Sequence, residues 1–155
     1  MTMQLAGALA ERSGPLGDHC PIDRAMQAIG NRTSMLLLRE AFYGARRFDD
    51  LVRRVGVTEA VASQRLRELV EVGVLAKRPY RDPGQRTRHE YVLTEAGHEV
   101  LPLVLALARW GASHLPGGGP TLTHADCGEA VTLVPRCAAG HDVPEDEIVV
   151  TGRRR

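Results

Sequence analysis

Between Thr58 and Val72 the chain sets two kinds of residue at helical spacing. Ala62, Leu66 and Leu69 share one face; Ala60, Ser63, Gln64, Arg67 and Glu71 share the other. The apolar face predicts packing on a core. The opposite face offers a small residue, a hydroxyl, a carboxamide and a guanidinium. Those groups hydrogen-bond base edges in the DNA major groove, where Arg suits guanine and Gln suits adenine. Arg65 sits at the boundary, within reach of a phosphate. Further cations lie to either side. Arg46 and Arg47, with Arg53 and Arg54, precede this stretch, and Lys77, Arg78, Arg81, Arg86 and Arg88 follow it. Such side chains neutralise phosphates and hold a protein in register on a duplex. Each Arg taken singly reads equally well as a solvated surface charge. Helix order, turn position and charge together favour DNA.

A second constellation lies near the C-terminus. His124-Ala-Asp-Cys127-Gly and Cys137-Ala-Ala-Gly-His141 form an H-x2-C and a C-x3-H pair separated by nine residues. Two close pairs on Gly-containing turns suit one tetrahedral ion with sulfur and nitrogen ligands. Two readings stand: a structural Zn2+ held by His124, Cys127, Cys137 and His141, or a metal-free hairpin that keeps the turns. Cys20 is a third site of interest. It precedes Pro21 at the expected start of a helix, where free N–H groups favour a thiolate. Asp18 and Asp23 nearby oppose that effect.

These residues need elements to position them. Cys20-Pro21 opens a helix whose apolar face is Ile22, Ala25, Met26 and Ile29, with Gly30 at its end. Asn31 or Thr33 caps a second helix carrying Met35 to Leu38, Ala41 and Phe42. It is apolar nearly all round and should be central. A third helix runs from Phe48 to Val55. After the Gly56–Thr58 turn comes a fourth, capped by Thr58 and ending near Val72. Extended stretches Val74–Tyr80 and Arg88–Leu93 flank the turn signal Asp82-Pro83-Gly84 and predict a β-hairpin. Thr94 caps a long helix to His114, with a kink expected at Pro102. Helix–helix–helix–hairpin–helix, with the third and fourth helices joined by a short turn, is a winged helix-turn-helix order. The fold class is therefore mainly α with a β-hairpin wing, plus a small β-rich, zinc-ribbon-like appendage.

The expected organisation is a flexible arm over 1–17 with a short helix at Leu5–Arg12, and the winged helix domain over 18–115. A Gly/Pro linker over 116–120 and a ribbon-like appendage over 121–155 follow. The appendage ends in the basic tail Arg153–Arg155. Charge is segregated to match. Residues 46–90 hold 11 Lys/Arg against seven Asp/Glu, a net +4, whereas residues 121–146 hold one Arg against five acids, a net −4. Aromatics are 4% of the chain, which favours an aliphatic, helical core. The longest apolar stretch, Val100–Ala108, is about half a membrane span. Residues 1–17 do not read as a signal peptide, and three cysteines is an odd count, so a reducing cytoplasm is expected. No phosphate-binding Gly loop or nucleophile motif is present, and His89 beside Asp82 and Glu90 reads as a charged loop rather than an acid–base pair. The chain is not expected to be an enzyme. An adaptor that uses a winged helix to bind protein is the alternative, against which the basic wing counts.

The motifs Cys20-Pro-Ile-Asp-Arg-Ala25, Leu36-Leu-Leu-Arg-Glu40, Arg46-Arg-Phe-Asp-Asp-Leu51, Ser63-Gln-Arg-Leu-Arg-Glu-Leu69, Gly73-Val-Leu75 and Glu90-Tyr-Val-Leu-Thr-Glu-Ala-Gly97 follow one another in register. Over residues 18–115 the chain resembles the HxlR-type winged helix regulators. The resemblance implies a bacterial transcriptional regulator, by habit a repressor, that binds an inverted-repeat operator in double-stranded DNA as a homodimer. It also implies an interface formed by the first and last helices, and often a response to oxidants or electrophiles. Cys20 matches the region where sensing members carry a cysteine. One departure is that Asn31-Arg32-Thr33 stands where the family usually has Lys-Trp, which removes a large packing group near the interface. The dimer has a residue-level argument too. Leu101, Val104, Leu105, Ala108 and Trp110, with Ile22, Met26 and Ile29, are more apolar surface than one small domain covers, and a twofold pairing would bury both faces.

Overall fold

A computed structural model describes residues 2–152; the basic tail at 153–155 lies outside the described residues. In chain order the elements are β1 (Gln4–Ala6), α1 (Pro21–Ile29), α2 (Arg32–Phe42), α3 (Phe48–Val55), α4 (Glu59–Glu71), β2 (Leu75–Tyr80), β3 (Arg88–Leu93), α5 (Glu95–His98), α6 (Leu101–His114) and β4 (Val149–Thr151). The described residues form two compact units, one of residues 18–119 and the other of residues 2–17 with 120–152.

The larger unit is built on α2. Leu37 and Leu38 are fully buried there, and Leu51 of α3, Leu66 and Leu69 of α4 and Leu75 of β2 close around them. Burying each leucine contributes about 1.5–3 kcal/mol, so this aliphatic cluster sets where α4 lies. Asn31 is the cap of α2: its Oδ1 accepts the Thr33 N–H at 2.9 Å. The helix is less apolar than its leucine run suggests. Glu40 is buried, with Arg39 at 2.6 Å and Arg54 of α3 at 3.8 Å to balance its charge.

β2 and β3 pair antiparallel from Leu75↔Leu93 to Tyr80↔Arg88, as the hairpin pattern predicts. The Asp82–Gln85 turn is closed by the Gln85 N–H on the Asp82 carbonyl at 3.0 Å. Thr94 then stitches the far end of the hairpin to the end of α4. Its hydroxyl donates to the Gly73 carbonyl at 2.6 Å, and its N–H to that of Val74 at 3.2 Å. Gly97 lies so close to this junction that a Cβ would stand 2.2 Å from the Val74 carbonyl oxygen.

The long, kinked final helix is replaced by two helices. The cap at Thr94 is as expected, its Oγ1 accepting the Gly97 N–H at 3.0 Å. The chain then breaks between His98 and Leu101, and Pro102 lies in the first turn of α6. Proline has no N–H to bond back and its ring clashes with the preceding turn, so it opens a helix more readily than it continues one. Most of α6 is exposed; Val104 is its one buried residue.

In the smaller unit, part of the segment expected as a flexible arm is a paired strand. Gln4–Ala6 runs parallel to Val149–Thr151, with Gln4↔Val149 in register, and the Gln4 amide donates to the Asp146 carbonyl at 2.7 Å. Leu5–Arg12 is not an α-helix: Leu5 is in the strand, and a single 3-10 turn follows at Gly7–Leu9. An extended segment with open backbone groups is satisfied by a second strand, whereas an isolated eight-residue helix is unstable. Two turns closed by the bridges Thr123↔Ala130 and Arg136↔Asp142 make up the middle of this unit. None of its described residues is buried, as expected where too few side chains exist to enclose a core. Among the described residues no helix is long and apolar enough to cross a membrane.

Candidate nucleic-acid interface

α3 and α4 meet through Gly56, which ends α3 with φ +70° and ψ +41°, a conformation that Cβ-bearing residues avoid. Thr58 then caps α4, its Oγ1 accepting the Val61 N–H at 3.4 Å. This short turn, and the leucines that bury the inner face of α4, decide which residues of that helix face out. Ala62, Leu66 and Leu69 are buried, while Ala60, Ser63, Gln64 and Arg67 are exposed, as the spacing predicts.

Arg65 and Glu68 behave differently. Glu68 Oε2 accepts from the Arg65 guanidinium at 2.6 Å, and its Oε1 accepts from the Gln64 amide at 3.1 Å. The Arg65 contact, then that of Gln64, holds the Glu68 carboxyl below the usual carboxylate range. Arg65 is therefore ion-paired to its own helix. Glu68 was not among the residues singled out from the sequence, though its i−4 and i−3 spacing from Gln64 and Arg65 was a usable signal.

The hairpin sorts its cations in the same way. Arg78 donates to Glu90 across the strands at 2.7 Å. Arg47 donates to Asp82 at 2.9 Å and lies over the Tyr80 ring at 4.7 Å, and the Asp82 contact raises its pKa further. Arg81 donates to the Gln85 carbonyl at 2.9 Å, and Lys77 sits 5.9 Å from the centre of the Tyr91 ring. The backbone joins in, with the Tyr91 N–H donating to the Arg46 carbonyl at 2.8 Å and Arg47 bridging Glu90. Residues 46 and 47 thus lie along the free edge of β3. Arg47 ties the wing to the entry of α3 through Asp82, and Arg78 ties the two strands of the wing to each other through Glu90. Of the cations singled out around α4 and the wing, Arg46, Arg67, Lys77, Arg81, Arg86 and Arg88 have no ion-pair partner among the described residues, and of these Arg81 is held by a backbone carbonyl.

The cysteine expectations fare unevenly. Cys20 is the N-cap of α1 and is a half-buried free thiol. Cys127 and Cys137 are exposed and free, and His124 Nδ1 lies 3.2 Å from Cys127 Sγ. Cys137 heads a tight turn in which its own N–H reaches the His141 carbonyl at 3.0 Å. Backbone N–H groups, that of His141 first, hold its thiol below the usual range. The proposed tetrad is not assembled, however. Among the described residues no three His, Cys, Asp or Glu side chains are gathered to hold a metal. The second turn is one residue shorter than the first and has Ala139 before its glycine where the first has Cys127, so the two turns set their cysteine and histidine at different places.

Residues 28–118 match the family described as HxlR-like helix-turn-helix. An uncharacterized HTH-type transcriptional regulator of Mycobacterium tuberculosis is 43% identical over 111 residues, covering 70% of this chain and 69% of its own. The crystal structure of a transcription factor superposes with a TM-score of 0.71 at 32% identity, covering 83% of this chain and 92% of that one. The redox regulator HypR in its reduced form does so with a TM-score of 0.55 at 28% identity, covering 61% of this chain and 92% of its own.

Proposed function

The chain belongs to the HxlR-like helix-turn-helix family of transcriptional regulators, and on that premise we propose that it is a cytoplasmic repressor binding an inverted-repeat operator as a homodimer. The observation that carries the reading is the outward face of α4. Ser63, Gln64 and Arg67 stand exposed on a helix whose other face is buried, in the same unit as a wing with unpaired Arg86 and Arg88. A helix of this kind enters the major groove while the wing holds the backbone.

The twofold partner is supported by apolar exposure at both ends of this unit. Ile22 is 73% and Met26 55% exposed on α1, and Leu107 is 52% and Trp110 58% exposed on α6. Large apolar side chains exposed on two helices mark interaction faces, and pairing α1 and α6 with their copies covers them. A dimer also supplies the second reader helix that an inverted repeat requires.

Arg67→Ala tests the reading. A bidentate guanidinium–guanine contact is worth about 1–3 kcal/mol, so affinity for the operator falls by roughly 5- to 150-fold for each half-site and preference at one base pair of each half-site relaxes. Mobility shifts with duplexes from the neighbouring genes and with scrambled controls measure it. Equal binding of both duplexes by the unaltered protein would rule out an operator-specific regulator.

Likeness to a redox regulator supports a role for Cys20 as sensor. A hydroperoxide would transfer one oxygen to the Cys20 sulfur, giving a sulfenic acid and leaving as the alcohol. The expected outcome is that peroxide releases DNA from the unaltered protein but not from Cys20→Ser. Release of both alike would show that Cys20 is not the sensor.

A further inference from the structure

We propose that Glu68 is a positioning residue for base readout, holding Gln64 and Arg65 so that one reads sequence and the other is kept off the DNA backbone. The inference rests on the DNA-binding reading above. Its basis is that both oxygens of one carboxylate are engaged, Oε1 by the Gln64 amide at 3.1 Å and Oε2 by the Arg65 guanidinium at 2.6 Å. The three residues lie on one turn of α4, spaced so that their side chains meet.

The two contacts have different consequences. A glutamine amide has two N–H donors and one acceptor oxygen. Glu68 takes one donor and so fixes which way the amide is turned. The oxygen and the second N–H remain, and they match the N6 donor and N7 acceptor of adenine. A side chain already held in its reading orientation loses less freedom when DNA arrives. Arg65 has its charge balanced by Glu68 and is half-buried, unlike the exposed and unpaired Arg67. Glu68 thereby lowers sequence-independent attraction while sharpening selection at one base.

Glu68→Ala separates these effects. Without the carboxylate, the Gln64 amide rotates freely and Arg65 is released. Discrimination at the base pair read by Gln64 is expected to fall roughly 2- to 10-fold. Binding to unrelated duplex rises, and the slope of log K against log salt steepens by about one per protomer as Arg65 gains a phosphate. Glu68→Gln keeps an oxygen for the Gln64 amide without the charge. It should restore discrimination and retain the steeper slope, which a merely structural role would not do. In the background of Gln64→Ala, removing Glu68 should cost no further discrimination.

The probe is a duplex enriched by the unaltered protein from a random-sequence pool, with all its single-base-pair variants, titrated over a salt series. Thermal melting checks that each variant is folded. If the unaltered protein enriches no sequence, the DNA-binding reading fails and this inference with it. If it enriches one, and Glu68→Ala is folded yet keeps full discrimination at every position, the positioning role alone is overturned.

Discussion

Raising monovalent salt from about 50 to 200 mM is expected to weaken operator binding by about 10⁴-fold. The figure follows from which cations are free. Arg46, Arg86 and Arg88 have no ion-pair partner among the described residues, and Lys77 makes only a ring contact. With Arg67 reserved for a base, those side chains give about four phosphate contacts per protomer and about eight in a twofold pair. Each contact contributes about 0.9 to the slope of log K against log salt, giving about −7, or roughly four decades over a fourfold change in salt. If Arg47, Arg65 and Arg78 also contacted phosphate, the slope would be steeper still. Fluorescence anisotropy across a salt series reads the number directly. A slope near zero is incompatible with a duplex held by its backbone.

Leu66→Ala should cost about 2–5 kcal/mol of stability, the range for removing a buried leucine and leaving a partly relaxed cavity. Leu66 is 0% exposed and sits among Leu37, Leu38 and Leu69, so little can collapse into the space. Domains of this size have about 5–15 kcal/mol in all. The loss therefore approaches the whole margin in the unfavourable case and lowers the melting midpoint by roughly 10 °C or more. Urea unfolding should show a lower midpoint with an unchanged slope. Arg67→Ala, one residue further along, should leave that midpoint almost where it was. The contrast checks the sidedness of α4: neighbouring positions, one controlling folding and the other controlling DNA. A fully stable Leu66→Ala would mean that this face of α4 is not packed as described.

Much of the larger unit was legible in its residues because the signals are local. Asn31, Thr58 and Thr94 cap their helices through bonds to residues two or three positions on. Gly56 ends α3 because the turn needs a conformation that other residues resist. The buried and exposed faces of α4 follow from helical spacing alone. Position 102 shows where a local rule was known but its weight was misjudged. Proline was expected to kink a long helix, and instead it starts a new one.

The chain by itself determined the order of α1 to α4, the hairpin, the caps and the residues on the outer face of α4, since each is written in a continuous local pattern of residues. Only the tertiary structure decided which arginines remain free. Arg47 and Asp82 are 35 residues apart, and they meet because the fold brings the wing against the entry of α3. The same holds for the pairing of Gln4–Ala6 with Val149–Thr151, and for the failure of the histidine and cysteine pairs to converge. Long-range pairing depends on where a whole backbone travels, and neither residue of a distant pair records that path.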